Sequence, residues 1–322
     1  MMWEMSADDA PQAPDAQAQV LLIGIGAGDP DYVTNQAALA IRELDVLFIV
    51  TKEEEKAELV AARREVVDRY RDDDDYRTVE LQDPERPWKD TPHYTEAVAH
   101  WRHQRVELWE SAIAEHLAPG ETGGFLVWGD PSLYESTLAI VQEVQERGKA
   151  QFDYEVLPGV SSIHALTARH RIPLNRQGGS VHITPARLLG GGIPANANDV
   201  VVMLDPSTTF ARLDPHGIEI FWGAYLGTAD ELLISGPLED VRDEIVRVRA
   251  EAKERKGWIF DTYLLRRTTT DRRQSVSERR VRQIERRAGE IERRSGHDRR
   301  ATKHVITDYP PMPGGTPEPE TA

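Results

Sequence analysis

Val20-Leu21-Leu22-Ile23-Gly24-Ile25-Gly26-Ala27-Gly28-Asp29-Pro30 is an apolar run that stops in a glycine-rich turn. Such a run suits a strand buried on both faces, and the glycines allow the tight exit that a following helix needs. Thr34 to Leu44, with Ala throughout and apolar Leu39 and Leu44, reads as that helix. The design recurs twice. A strand over Phe125–Trp128 runs into Gly129-Asp130-Pro131, and a strand over Tyr154–Leu157 runs into Pro158-Gly159-Val160-Ser161-Ser162. In an open parallel sheet, ligands bind outside the carboxyl ends of the strands, so the three loops are expected to line one cleft.

Working outward, Val46–Val50 reads as a buried strand, Lys56–Tyr70 as a charged helix and Thr78–Leu81 as a short strand. His93–Leu117 is a long amphipathic helix stopped by Pro119-Gly120. Leu133–Gln145 is a helix closed by Gly148, and a further helix covers Ser161–His170. Alternating strands and helices predict a parallel α/β sheet. Beyond the loop around Pro173–Gly179, strands are expected at Val181–Thr184, Val200–Leu204, Glu219–Ala224, Glu231–Ser235 and Trp258–Leu265. A helix is expected at Leu238–Glu254. Consecutive strands there suggest a mixed sheet. The organisation expected is a disordered N-terminus (1–18), an N-terminal α/β domain (19–175), a C-terminal α/β domain (176–267) and an Arg-rich flexible tail (268–322).

The 322 residues carry 39 basic and 55 acidic side chains, a net charge of −16. From Thr268 onward there are 12 basic and 9 acidic residues, which leaves a body of 27 against 46. A body this acidic repels nucleic acid and anionic membrane. No apolar stretch reaches the 18 to 20 or so residues of a spanning helix. The N-terminus is acidic, without the basic start and apolar core of a secretory leader, so a cytoplasmic location is expected. There is no cysteine, which excludes disulfides, thiolate nucleophiles, thiolate zinc sites and iron–sulfur clusters. In the tail, an acid-Arg-Arg unit recurs at Asp271, Glu278, Glu285, Glu292 and Asp298. Gly289 and Gly296 weaken any helix there, and the tail reads as a mobile, partly helical appendage.

The first loop matches a dinucleotide fingerprint poorly. Asp29 occupies the third glycine position, where a carboxylate would repel a pyrophosphate, and no phosphate-cradling Gly-x-x-x-x-Gly-Lys-Ser/Thr is present. His100 and His103 share a helix face without a clear third ligand, so no metal site is expected. His164, His170 and His182 lie near the third loop and the linker. Arg169, Arg171 and Arg176 cluster with Arg187 near the domain junction. They read either as ordinary surface pairing or as a seat for a polycarboxylate, since arginine forks bind carboxylates bidentately.

IGIGAGDPDYVT (23–34), VWGDPSLYEST (127–137) and LPGVSSIHALTARHRIPLN (157–175), in this order, resemble the tetrapyrrole methyltransferases. These use S-adenosylmethionine (SAM) to methylate corrin and sirohaem precursors. KAELVAARREVVDRY, VHITPAR, FWGAYLGTADELLISGPL and WIFDTYLLRR are similar to the members that methylate a precorrin while removing its acetyl group. The resemblance covers about residues 20–267. It implies a two-domain α/β fold, a parallel-sheet N-terminal domain and a mixed-sheet C-terminal domain with SAM in the cleft between them, and a homodimer. It carries SAM contacts to Ala27, Trp128, Gly129, Asp130, Leu133, Ser161, Ser162, Leu204 and Gly227. Ala27 stands where many relatives have Pro, and a backbone contact survives that change. The implied reaction is methylation of precorrin-5 at ring carbon 1 with release of acetate, without a metal. A different precorrin as substrate is the alternative, and SAM binding without turnover a further one. Asp29 keeps the family's acidic position at the mouth of the substrate trough, and Arg169, Arg171 and Arg176 are the candidates for substrate carboxylates. Relatives place an Asp after the second strand, where this chain has Thr51. Threonine cannot act as a carboxylate base, which leaves Asp29 or Glu53 to take over, or a reaction that needs no general base there.

Overall fold

The computed structural model describes residues 17–51, 57–87, 91–190, 192–194 and 196–268. The N-terminal segment to residue 16, Lys52, Glu53 and the Arg-rich tail from 269 lie outside the described residues. Ala18, expected in the disordered leader, is instead the first residue of a strand and only 3% exposed.

Five strands form the first sheet: β1 (Ala18–Gly24), β2 (Val46–Thr51), β3 (Arg77–Gln82), β4 (Thr122–Val127) and β5 (Phe152–Leu157). Their order is β3-β2-β4-β1-β5, and every pairing is parallel. The alternation of β1 explains its central place. Val20 and Leu22 point into a core with Phe48 and Phe125, covered by α3 (Tyr94–His116) and α4 (Thr137–Arg147). Leu21 and Ile23 point the other way, with Leu47 and Ile49, beneath α1 (Asn35–Arg42) and α2 (Ala57–Tyr70). Thr34 caps α1, its Oγ1 accepting from the Ala37 N–H at 3.1 Å. On the first face Trp109 stacks on Phe125 with centroids 4.4 Å apart.

Around this sheet two expected element starts move by three residues or more. β4 begins at Thr122, not Phe125, and takes in Gly123 and Gly124. A Cβ at either would meet Phe48 or Leu44 side-chain carbon within 3 Å, so these glycines admit neighbouring side chains against the strand. α4 begins at Thr137, not Leu133. Asp130 folds residues 130–132 into a turn, Tyr134 has φ of 52°, and the Glu135 carboxylate accepts the Ser136 and Thr137 N–H groups, which fixes the helix start four residues later.

The second sheet contains β6 (Val181–Pro185), β7 (Asp199–Met203), β8 (Ile218–Ala224), β9 (Leu232–Pro237) and β10 (Asp261–Arg267), in the order β6-β7-β10-β8-β9. β6 and β7 are parallel, and the other three pairings are antiparallel. The expected strand start at Trp258 shifts to Asp261 because Trp258 turns edge-on to Tyr225, whose hydroxyl donates to the Trp258 carbonyl. α6 (Leu238–Lys256) covers one face through Leu238, Ile245 and Ala252. The opposite face, through Val201, Phe221 and Leu264, packs on α5 (Ser162–His170), which follows β5. α5 thus packs on the second sheet together with Ala27, Tyr32 and Leu133 from the loops that follow β1 and β4.

Candidate active site

β4, β1 and β5 are neighbours in register, with Gly24 beside Val127 and Ile23 beside Leu157. The loops that follow them therefore leave one edge side by side. Backbone then stitches them together. Gly26 and Gly129 exchange hydrogen bonds, at 3.2 Å from the Gly26 N–H and 2.8 Å from the Gly129 N–H. A Cβ on Gly159 would lie 2.1 Å from the Gly129 carbonyl oxygen, and a Cβ on Gly24 2.6 Å from the Gly159 nitrogen. Only glycine permits this approach. Asp130 is the one carboxylate in the stitch. Its Oδ2 accepts the Gly159 N–H at 3.0 Å, and its Oδ1 accepts from the backbone and hydroxyl of Ser132. Burial alone would raise its pKa, but these hydrogen bonds outweigh burial and hold the carboxyl below its ordinary value.

The second sheet supplies the opposing wall. Gly227, in the turn between β8 and β9, has φ of 76°, and a Cβ there would meet the Asp29 nitrogen and the Ala27 carbonyl within 3 Å. A Cβ on Gly28 would meet the Leu226 carbonyl at 2.7 Å and the Trp128 ring at 3.3 Å. Ala27 is buried among Ile163, Leu166 and Leu226. The Gly227 N–H donates to Glu231 at 2.9 Å, and Glu231 also holds Arg169. Tyr32 sits in this group. Burial raises its phenol pKa, Arg169 opposes that, and Asp29 and Glu231 reinforce it.

The remaining expected residues sort clearly. Ser161 occupies the cap position of α5, is 5% exposed, and pairs through Oγ with His164 Nδ1 at 2.8 Å. Ser162 accepts from the Thr262 hydroxyl of β10 at 3.4 Å. Leu133 packs in the inter-sheet core, and its N–H donates to the Asp130 carbonyl. Leu204, just after β7, has φ of 53° and is 58% exposed. Beneath it, buried Asp205 accepts from Thr209 and from the Tyr263 hydroxyl, and Arg249 binds both the Asp205 carbonyl and Asp261. Asp29 accepts the Asp31 N–H through Oδ1 at 2.9 Å. The Thr51 hydroxyl donates to the Leu81 carbonyl and meets the Gln82 side chain, so it ties β2 to β3.

The arginines do not act as one group. Arg169 is ion-paired at the Gly227 turn, and exposed Arg171 ends α5 in a left-handed conformation. Arg176 is mostly buried and paired with Asp199 at the start of β7. That is the end of β7 opposite Leu204, so Arg176 is a structural partner there.

Sequence reading missed a cavity of about 160 Å³ along the C-terminal halves of β2 and β4. Its wall includes Arg63, Arg105, Trp109, Trp128, Thr137 and Phe260. Arg105 pairs with Asp83 at 2.8 Å and donates to the Ser136 hydroxyl at 3.0 Å. Burial pushes Arg63 below the ordinary guanidinium pKa, partly opposed by Glu135. A signal existed, because Trp101, Arg105 and Trp109 recur every four residues on one face of α3, and Arg105 lies over both rings.

A family model of the tetrapyrrole (corrin/porphyrin) methylases matches residues 19–242. A Sinorhizobium protein named precorrin-6A synthase [deacetylating] is 45% identical over 249 residues, which span 77% of this chain and 95% of that one. The crystal structure of a cobalamin-synthesis-related protein from Corynebacterium diphtheriae (CobF) superposes with a TM-score of 0.66 at 32% identity. It covers 79% of this chain and 100% of its own.

Proposed function

Because this chain belongs to the tetrapyrrole (corrin/porphyrin) methylases, we propose that it methylates precorrin-5 at ring carbon 1 from SAM and releases acetate, giving precorrin-6A in cobalamin synthesis. The observation that carries the reading is the single junction made by the Gly24–Asp29, Trp128–Leu133 and Pro158–Ser162 loops against the Gly227 turn.

The donor set fits this cofactor. None of the three loops contains Lys or Arg, which suits a ligand carrying a sulfonium and not a polyphosphate. Ala27, Trp128, Gly129, Asp130, Leu133, Ser161, Ser162, Leu204 and Gly227 would hold it, chiefly through backbone and apolar contact. When bound, SAM supplies an electrophilic methyl on a good leaving group. The work left to the protein is alignment, which contributes about 7 to 11 kcal/mol in favourable cases. The glycine stitching fixes the floor on which that alignment depends.

Acetate release needs water to add to the acetyl carbonyl carbon. The bond from that carbon to ring carbon 1 would break, with its electron pair left on the ring and the acyl carbon leaving as acetate. A carboxylate receives the water proton. Asp29 is proposed for that role, with Arg169 and Arg171 meeting substrate carboxylates. Thr51 has no such role, since its hydroxyl is committed to β3. The protein is read as a cytoplasmic homodimer in which residues 19–175 and 176–267 act as two domains around the cleft.

The test is an incubation with SAM and precorrin-5 generated in situ, following product mass and free acetate together. Methylation with stoichiometric acetate is expected. Methylation without acetate would move the activity to another precorrin. In Asp29→Ala, SAM binding is expected to persist while acetate release fails, and full release in that variant would remove Asp29 from the mechanism.

A further inference from the structure

The cavity along β2 and β4 is lined by two guanidiniums, from Arg63 and Arg105, and by one carboxylate, Glu135, whose Oε1 accepts from the Ser136 and Thr137 N–H groups and from the Thr137 hydroxyl. Trp109 is wholly buried, and its indole N–H has no hydrogen-bond partner among the described residues. A buried donor of this kind is costly unless something accepts from it. The guanidiniums are fixed rather than mobile: Arg63 Nε donates to the Leu126 carbonyl at 3.0 Å, and Arg105 is held by Asp83 and Ser136. Aromatic rings close the sides, with Phe48 and Phe125 within and Phe260 from the second half of the chain. Trp128 belongs both to this wall and to the contact with Gly28, so the cavity adjoins the loop junction through one side chain.

Fixed donors beside aromatic rings in a small chamber of mixed polarity suit a ligand with one apolar end and one or two acceptor oxygens. From this geometry we propose that the chamber seats the acetyl group of the substrate, with Trp109 and Arg105 donating to its oxygen, and then holds the departing acetate. This deepens the reading above and rests on it. Methyl delivery belongs to the loop junction and acyl departure to this chamber, with Trp128 between them. Trp109 and Arg105 are binding groups whose donors are set in place before negative charge builds on the acyl oxygen.

The test uses the full-length chain labelled with ¹⁵N. Its seven tryptophans give indole N–H resonances, and Trp109→Phe identifies the one from Trp109. Sodium acetate, against sodium chloride at equal ionic strength, is expected to shift that resonance saturably, and Arg105→Lys to weaken the response. In turnover with precorrin-5, both variants are expected to lower the rate of acetate release by about tenfold or more. SAM affinity and the KM for precorrin-5 are expected to stay within about twofold, in line with a loss confined to the transition state. Thermal melts confirm that each variant is folded. An unmoved Trp109 resonance together with wild-type release in Trp109→Phe would overturn the assignment. A raised KM with unchanged turnover would also overturn it, because the chamber would then hold a peripheral carboxylate arm. If acetate shifts the resonance but the wild-type protein frees no acetate from precorrin-5, the function proposed above fails while the carboxylate-binding chamber stands.

Discussion

The two walls of the cleft are held by different physics. On the first-sheet side, three loops meet through glycine backbone, and Asp130 is the one carboxylate among the contacts. On the second-sheet side, the residues after β7 rest on buried side chains: Asp205, Arg249, Asp261 and Tyr263. The first wall tolerates no added volume. The second tolerates no lost charge, because removing one member leaves another buried and uncompensated.

The sharpest way to break this contrast is Gly159→Ala. Its new Cβ would collide with the Gly129 carbonyl, backbone against backbone, and neither side can yield without opening the junction. A loss above about 4 kcal/mol is expected in denaturant unfolding, among the largest single-residue effects. A mild loss would show that the loops are not locked. Arg249→Met comes next. It keeps bulk but strands Asp261, and about 3 to 5 kcal/mol should disappear. If the loss were near zero, the charge network would be incidental to the second wall.

Asp130→Asn probes the one carboxylate among the stitching contacts of the first wall and should cost about 1 to 3 kcal/mol at neutral pH. The folded-state pKa of Asp130 is depressed, so its contribution is present above the ordinary carboxylate value and fades as pH falls through the lower folded value. Comparing acid unfolding of the variant with wild type checks this, since the difference between them should narrow at the acid end. The smallest effect concerns His170, which contacts the Trp222 carbonyl at 3.0 Å beside Phe221. Burial lowers its pKa below 6.5. The unfolded chain therefore takes up the proton first. Stability contributed by neutral His170 is present above about pH 6.5 and declines as pH falls toward the folded value. His170→Gln should flatten the melting temperature between about pH 7 and 5.

The same contrast explains what could be read in advance. The first wall was legible because glycine and proline punctuate sequence locally, and Gly24, Gly129 and Gly159 each end a short apolar run. All ten strands among the described residues were expected near where they lie. The start of α4 was misplaced because apolar Leu133 and Tyr134 look helical, while the Glu135 side chain sets the cap. The buried network of the second wall left no local trace, since Asp205 meets partners 44 and 58 residues further on. The arginines were grouped by nearness in sequence. Arg176 instead turns to the opposite end of β7, because Asp199 needs a cation there. The chamber under Trp109 draws on β2, α2, α3, β4, the loop after β4, the start of α4 and the segment before β10, and the four-residue spacing of Trp101, Arg105 and Trp109 marks only the α3 side of it.

β10 is the last described strand in sequence yet lies in the middle of its sheet, between β7 and β8. A chain emerging from the ribosome cannot join those two strands until Asp261–Arg267 has cleared the exit tunnel. The first sheet waits similarly, because β1 pairs with β4 about a hundred residues later. Vectorial synthesis thus presents two successive sheets with unfilled centres, and the second wall of the cleft is assembled last. A stalled or prematurely terminated chain would expose β7 and β8 as open edges, a ready template for aggregation rather than a partly working enzyme.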